Sequence, residues 1–271
     1  MDRDQCHRFL AENVPRMGLR WQGYRRVSGQ VCKRLSRRIH ELGLTGLSDY
    51  SDHLQHHPDE WRVLEALCRI TVSRFYRDRD VFNHLVDVEI PALATQACEA
   101  GRTTLRAWSA GCASGEEPYT LAILWKLALQ PRFPTLSLDV TATDANPQVL
   151  ARARAARFLP ASYKELPTAW RKPAFEKDGT VRQPFRELVS FTEQDIRQAW
   201  PAGPFDLVLC RNLVCTYLDE REQVRVLSEV LARLRPDGVL VIGREESLPR
   251  ELTGLVETVP GLRVYRRDQG L

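Results

Sequence analysis

Apolar positions change their spacing near residue 100. Before it they recur every three or four residues. In GQVCKRLSRRIHELGL, Val31, Leu35, Ile39 and Leu42 form one stripe, with Lys33, Arg34, Arg37 and Arg38 on other faces. Leu54, Trp61, Leu64 and Leu67 suggest another packed helix. From about residue 102, short apolar runs alternate with helical patterns. Leu105–Ser109, 137–144 (SLDVTATD), 204–210 (PFDLVLC) and 237–243 (DGVLVIG) have strand character; Tyr119–Leu129, Pro147–Ala156 and Glu220–Leu234 have helical spacing. This alternation predicts a mostly parallel α/β sheet covered on both faces. The closing GLVETVPGLRVYRRD carries two β-rich runs around Pro260-Gly261, a hairpin signal.

These textures divide the chain into a small helical domain with its linker, residues 1–85, and a sheet domain, residues 86–271. Within the latter, the Asp178-Gly179 turn pair favours a small antiparallel excursion over 172–195, because a structureless loop of that length is uncommon in a compact domain.

Composition narrows the class. The chain has 271 residues, 43% hydrophobic and 27% charged, which suits a soluble globular protein. Lys and Arg number 39 against 35 Asp and Glu, a balance that permits an acidic partner and argues against nucleic acid. The seven cysteines, with no C-x-x-C pair, argue against a disulfide framework and a structural zinc site, so no metal is expected. They point to a reducing cytoplasm. The N-terminus lacks the apolar core of a signal peptide, and no apolar run approaches the roughly 18 residues of a membrane helix.

The chemistry concentrates in LRAWSAGCASGEEPYTLAILW, residues 105–125. It reads as a buried strand, a turn at Gly111 and Gly115, two carboxylates, and a helix opened by Pro118. Such strand–turn–helix units hold nucleotide-like cofactors. Glu116 and Glu117 would repel a pyrophosphate at the helix start but suit hydroxyls or a cationic centre. S-adenosylmethionine carries both. Asp144 closes the second strand, where an acid commonly accepts ribose hydroxyls; Asn146 before Pro147 is the better helix cap and leaves Asp144 for another duty. Asp195, after Phe191-Thr192, would receive the adenine amine, with Ile196 against the ring. Cys210, Arg211 and Asn212 fall at the tip of a further strand, and Tyr217 follows a few residues on. Cys210 reads as a small buried hydrophobe rather than a nucleophile, and Arg211 could simply pair with a carboxylate.

Together these segments resemble the CheR family of chemotaxis receptor methyltransferases over most of the chain. ITVSRFYRDRDVF (70–82) is similar to the family's linker motif and WSAGCASGEEPYTLAILW to its cofactor loop; ATDANPQVLARARAARF, CRNLVCTYLD and LRPDGVLVIGREESLP follow in the family's order. The resemblance implies a Rossmann-like S-adenosylmethionine methyltransferase sheet with a terminal antiparallel hairpin, preceded by a small all-helical domain. It implies S-adenosylmethionine as methyl donor, S-adenosylhomocysteine as product, no metal, and as acceptor a glutamate side chain of a receptor-like protein in the cytoplasm. Carried onto this chain, Ser73, Arg77, Gly111, Glu117, Asp144, Asp195, Ile196, Cys210 and Arg211 would form the cofactor pocket. Arg77, Arg211 and Tyr217 would serve catalysis, and the Arg34, Arg37, Arg38 helix would face an acidic receptor. The acceptor side departs from the family pattern. Thr71 and Ser73 stand where asparagine and threonine are usual, one extra residue precedes Tyr217, and Gly243-Arg244-Glu245-Glu246 replaces glycine-histidine-serine-glutamate. Two alternatives therefore stand beside the receptor reading: a related methyltransferase acting on another protein, a small molecule or RNA, and a non-catalytic module that binds the cofactor.

Overall fold

The computed structural model describes residues 2–25, 27–69 and 73–268, so Thr71 of the linker motif lies outside the described residues. The chain divides into two units, Met1–Thr71 with Cys215–Gln223, and Val72–Val214 with Val224–Leu271.

The first unit is helical: α1 (Arg3–Asn13), α2 (Trp21–Tyr24), α3 (Ser28–Glu41), α4 (Leu47–His56) and α5 (Glu60–Cys68). Asp2 caps α1 by accepting the Gln5 N–H at 3.3 Å. The α3 stripe is buried at Val31, Leu35 and Ile39. The second apolar set belongs to two helices, Leu54 on α4 and Trp61, Leu64 and Leu67 on α5. Two expectations are corrected here. Cys6 and Cys32 form a disulfide joining α1 to α3. Both lie on inward helix faces, 0% and 9% exposed, so helix packing pairs them without any sequence motif. The arginines of α3 also do not present one basic face. Arg38 grips the buried Glu60 carboxylate at 2.9 and 2.7 Å, and Arg34 donates to the Leu67 and Arg69 carbonyls at the end of α5. Of the three, only Arg37 is largely exposed.

In the second unit, α6 (Arg79–His84) and α7 (Ile90–Glu99) are joined by a π turn over Leu85–Glu89 and lead into β1 (Thr104–Ala110). Then come α8 (Glu116–Leu124), β2 (Ser137–Asp144), α9 (Pro147–Ala155), α10 (Thr168–Ala174), α11 (Gln183–Arg186), β3 (Val189–Glu193) and β4 (Phe205–Cys210). Next, α12 (Val214–Tyr217) and the start of α13 (Glu220–Ala232) fall largely in the first unit, and β5 (Leu234–Ile242), β6 (Leu255–Glu257) and β7 (Val264–Arg267) complete the second. The sheet order is β3-β2-β1-β4-β5-β7-β6; β1 to β5 run parallel, and β7 is antiparallel to both β5 and β6. This is the expected doubly wound sheet with its terminal hairpin.

The division falls near residue 72 rather than 85. Phe75, Tyr76, Val81, Phe82 and Leu85 pack into one buried cluster with Ala107, Val140, Leu209 and Val241 of the strands, so the linker and α6 belong with the sheet. The excursion is also slighter than expected. Asp178-Gly179 does form a turn, but around it lie only isolated bridges, Arg157 with Thr180 and Phe175 with Val181, between two short helices. Residues 189–193 form instead the edge strand of the main sheet.

Candidate functional site

The carboxyl ends of β1, β2 and β4 carry Gly111, Glu117, Asp144, Cys210 and Arg211; Asp195 follows β3, and Tyr217 lies in the helical unit. After β1 the chain turns at Gly111 (φ +71°), where a Cβ would stand 2.7 Å from Leu213 Cδ2. Gly115 (φ +94°) opens α8, where a Cβ would meet Ala153 Cβ at 3.0 Å. The loop between them is sewn to the end of β2: Gly111 and Cys112 N–H both donate to the Thr143 carbonyl, at 2.8 and 2.9 Å. Asn146 caps α9 as expected, accepting Gln148 and Val149 N–H at 2.9 and 3.4 Å. Asp144 is nevertheless engaged, accepting Ala113 N–H at 3.0 Å and Asn146 N–H at 2.9 Å. Its carboxylate fastens the β1 loop to the β2 turn, fixing both before any ligand arrives.

Beside it lies a buried clasp. Glu117 accepts Ser109 Oγ–H at 2.7 Å and Arg211 Nη1–H at 3.1 Å. Arg211 Nη2 donates to Asp78 Oδ2 at 2.5 Å and to the Arg77 carbonyl at 3.0 Å, and the guanidinium lies 5.2 Å from the Phe82 ring centroid. The Arg211 side chain is only 3% exposed. It is a clasp inside the protein rather than a hand held out to an acceptor. Burial pushes the Glu117 carboxyl above the ordinary range, against the pull of Arg211, Ser109 and Arg77. Glu116 is 6% exposed and raised likewise by burial, tempered by hydrogen bonds from Ser73 and Ser162. Glu116 Oε2 and Arg211 Nε are buried with no hydrogen-bond partner among the described residues. Orphan buried polar atoms carry a desolvation penalty and are rare in a closed structure.

The remaining candidates are placed as follows. Asp195 follows β3 and receives Arg197 through the backbone N–H, Nε and Nη2, at 3.0, 3.1 and 2.7 Å; Ile196 beside it is 9% exposed. Cys210 is fully buried at the end of β4. Arg77 is half-buried, its charge opposing the rise of Glu117. Tyr217 belongs to the helical unit, its ring 4.9 Å from that of Tyr24 and its carbonyl accepting Arg20 N–H at 2.8 Å.

Three participants were missed from the sequence. Ser109 is a lone polar residue in an apolar strand, which was a usable signal. Asp78 is distant in sequence from Arg211 and gave none. Glu246, 4% exposed, accepts Asn212 N–H at 2.8 Å and Gly243 N–H at 2.5 Å and so ties the β5 tip to the β4 tip. Among the described residues no group of three or more His, Cys, Asp or Glu is arranged to hold a metal. The arrangement gathers the carboxylates of Glu116, Glu117, Asp78 and Asp144, with Arg211 buried among them and Arg77 and Arg152 acting on the glutamates, and its buried acceptors suit a ligand that brings hydroxyl and ammonium donors.

Comparison with known proteins agrees. Residues 71–264 match the family described as CheR methyltransferase, SAM binding domain, and residues 25–66 match CheR methyltransferase, all-alpha domain. A probable chemotaxis protein methyltransferase of Rhizobium etli is 32% identical over 246 residues, covering 87% of this chain and 90% of the relative. Chemotaxis protein methyltransferase 2 of Pseudomonas aeruginosa is 33% identical over 227 residues, covering 80% and 78%. The chemotaxis protein methyltransferase of Escherichia coli is 30% identical over 249 residues, covering 86% and 82%.

Proposed function

Since the chain belongs to the CheR methyltransferase family, we propose that it methylates glutamate side chains of a chemoreceptor-class protein, forming methyl esters in the cytoplasm. It is an S-adenosylmethionine-dependent methyltransferase. The observation that carries the reading to this site is the Ser109–Glu117–Arg211–Asp78 clasp, with the orphan Oε2 of Glu116 beside it. The fit to the cofactor is chemical: S-adenosylmethionine brings ribose hydroxyls, an ammonium and a sulfonium to a set of buried acceptors. Glu117, Asp144, Asp195, Ile196 and Ser73 would hold it, with Arg77 and Cys210 completing the wall. The bound cofactor supplies an electrophilic methyl group.

What the chain itself contributes is position and dryness. Asp144 holds two loops in register, so the cofactor side is preorganised. Arg211 keeps Glu117 and Asp78 together in a water-poor cleft without being consumed. A glutamate acceptor has an ordinary pKa of about 4.3 and is already ionised at neutral pH, so the transfer requires no general base. The test is incubation of the protein with methyl-labelled S-adenosylmethionine and the cytoplasmic fragment of a chemoreceptor from its own host. Label on protein that leaves as volatile methanol in mild alkali is the expected result. Alkali-stable label, or label in RNA or small molecules, would overturn the acceptor and keep the methyltransferase.

A further inference from the structure

A reaction that brings an ionised carboxylate to the carboxyl ends of β4 and β5 is served by a cation facing outward there, beyond Arg77, whose charge already acts on Glu117. Arg211 does not qualify, being buried between Glu117 and Asp78. Arg244, two residues beyond β5, does. Its side chain is 51% exposed, and Nη1 donates to Asp80 Oδ2 at 2.5 Å, the Asp80 side chain being itself 40% exposed. Glu246 holds the turn that carries it, through Gly243 N–H and Asn212 N–H. Gly243 itself has no room for a Cβ, which would stand 2.5 Å from Asn212 Nδ2. Arg244 is therefore presented from a rigid turn seated on the residue next to Arg211, and its partner Asp80 lies two positions from Asp78, the acid that Arg211 holds. The two pairs form a buried clasp and a wet one along the same edge.

The wet pair is the exchangeable one. An exposed ion pair contributes little to stability, since both groups are well solvated apart. A guanidinium also has five N–H donors in a planar fork, so a second carboxylate can be accepted while Asp80 keeps Nη1. Arginine here replaces the family's usual histidine, trading a ring of variable charge for a permanent, bidentate cation. We propose that Arg244 binds the carboxylate of the incoming acceptor glutamate, through guanidinium donors other than the Nη1 that meets Asp80. This rests on the glutamate reading above.

The experiment measures methyl-ester formation on the chemoreceptor fragment, as alkali-released methanol, alongside calorimetric affinity for S-adenosylhomocysteine. For Arg244→Ala, KM for the fragment is expected to rise at least tenfold, with cofactor affinity within twofold of the parent. Arg244→Glu should raise KM further, and Arg244→Lys should recover part of the loss. Asp80→Asn, which removes the same ion pair but leaves the arginine, should leave KM unchanged or lower it. The assignment is overturned if Arg244→Glu leaves KM within twofold, if cofactor affinity falls in step with KM, or if Asp80→Asn raises KM as Arg244→Ala does. Absence of alkali-labile ester with the unaltered protein would instead remove the acceptor reading on which it stands.

Discussion

At the amino ends of β1, β4 and β5, Asp206 is 2% exposed, accepts Arg102 Nη1–H at 2.5 Å and Arg106 N–H at 2.9 Å, and lies 3.3 Å from Arg235 Nε in an ion pair without a hydrogen bond. At the opposite ends of β1 and β4 the proportions are inverted: one buried cation, Arg211, is shared by Glu117 and Asp78, with Glu116 close by on the same helical turn. The lower cluster has more positive than negative partners, and its arginine side chains are 25% and 33% exposed, so their charge is shared with water. Both oxygens of its carboxylate accept hydrogen bonds, and the unmet atom there is a donor, Arg235 Nε. The upper cluster sets Glu116, Glu117 and Asp78 about one buried arginine, with Arg77 and Arg152 acting on the glutamates from less buried positions; both glutamates are raised by burial, and Glu116 Oε2 has no hydrogen bond among the described residues. The same residue types make a staple at one end of the sheet and a cation-seeking site at the other, and the sign of the imbalance separates them.

Removing the minority partner of each cluster should break the comparison most sharply. Arg211→Met leaves Glu117 and Asp78 facing each other without compensation, and it should lower the stability of the sheet unit by about 3–5 kcal/mol in urea unfolding. The loss should be smallest in acid, where the raised Glu117 carboxyl takes up a proton, and grow as pH rises. Asp206→Ala should reduce stability by about 1–3 kcal/mol, because Arg102 and Arg235 can turn their heads further into water and only the Arg106 N–H is left wanting. Equal losses, or a larger one for Asp206, would show that the two ends are not balanced differently.

How much of this was legible follows from the range of each signal. β2 was readable to the residue because its period-two burial is local, and the Asn146 cap because it serves its own helix. The glycine turn and the start of α8 at Glu116-Glu117 were readable for the same reason. What failed were properties of meeting faces. Arg38 on α3 looked like a surface residue until Glu60 of another helix arrived beneath it, and Cys6 met Cys32 only because α1 packs on α3. Asp78, the partner that turns Arg211 inward, is contributed by a segment 133 positions away, which no spacing rule reaches. The excursion was misjudged because a turn dipeptide fixes only the turn; the flanks at 175 and 181 pair for a single bridge before short helices take over.

The upper cluster should also respond to pH through its ligand. Burial raises the Glu117 carboxyl from its ordinary 4.5 in the folded protein. Its contribution to stability is fully present below that ordinary value and is lost as pH rises through the folded one. A cationic ligand favours the ionised form, so affinity for S-adenosylmethionine should move the other way, strengthening as pH rises through the same window, with proton release on binding. Glu117→Gln should flatten that dependence and weaken binding about tenfold, near 1.4 kcal/mol, as read by calorimetry at several pH values. A variant that keeps both the parent affinity and the parent pH profile would take the acid surplus out of cofactor recognition.

Ser109 offers the gentlest probe, because it touches the cluster without carrying charge. It is fully buried, and its hydroxyl donates to the Glu117 carboxylate at 2.7 Å, one of the interactions that hold the acid toward its ionised form. Ser109→Ala removes that donor from Glu117 Oε1 and leaves Arg211 in place on Oε2, so the carboxylate loses one of its two side-chain partners. Stability should fall by only about 1 kcal/mol. The informative shift is in the cofactor titration: with one fewer hydrogen bond to its anion, Glu117 should hold its proton to higher pH, and the rise in affinity should move upward with it. A midpoint that stays where it was, or moves toward acid, would mean that the serine fills space rather than tuning the carboxylate, leaving Arg211 as the cluster's main control on charge.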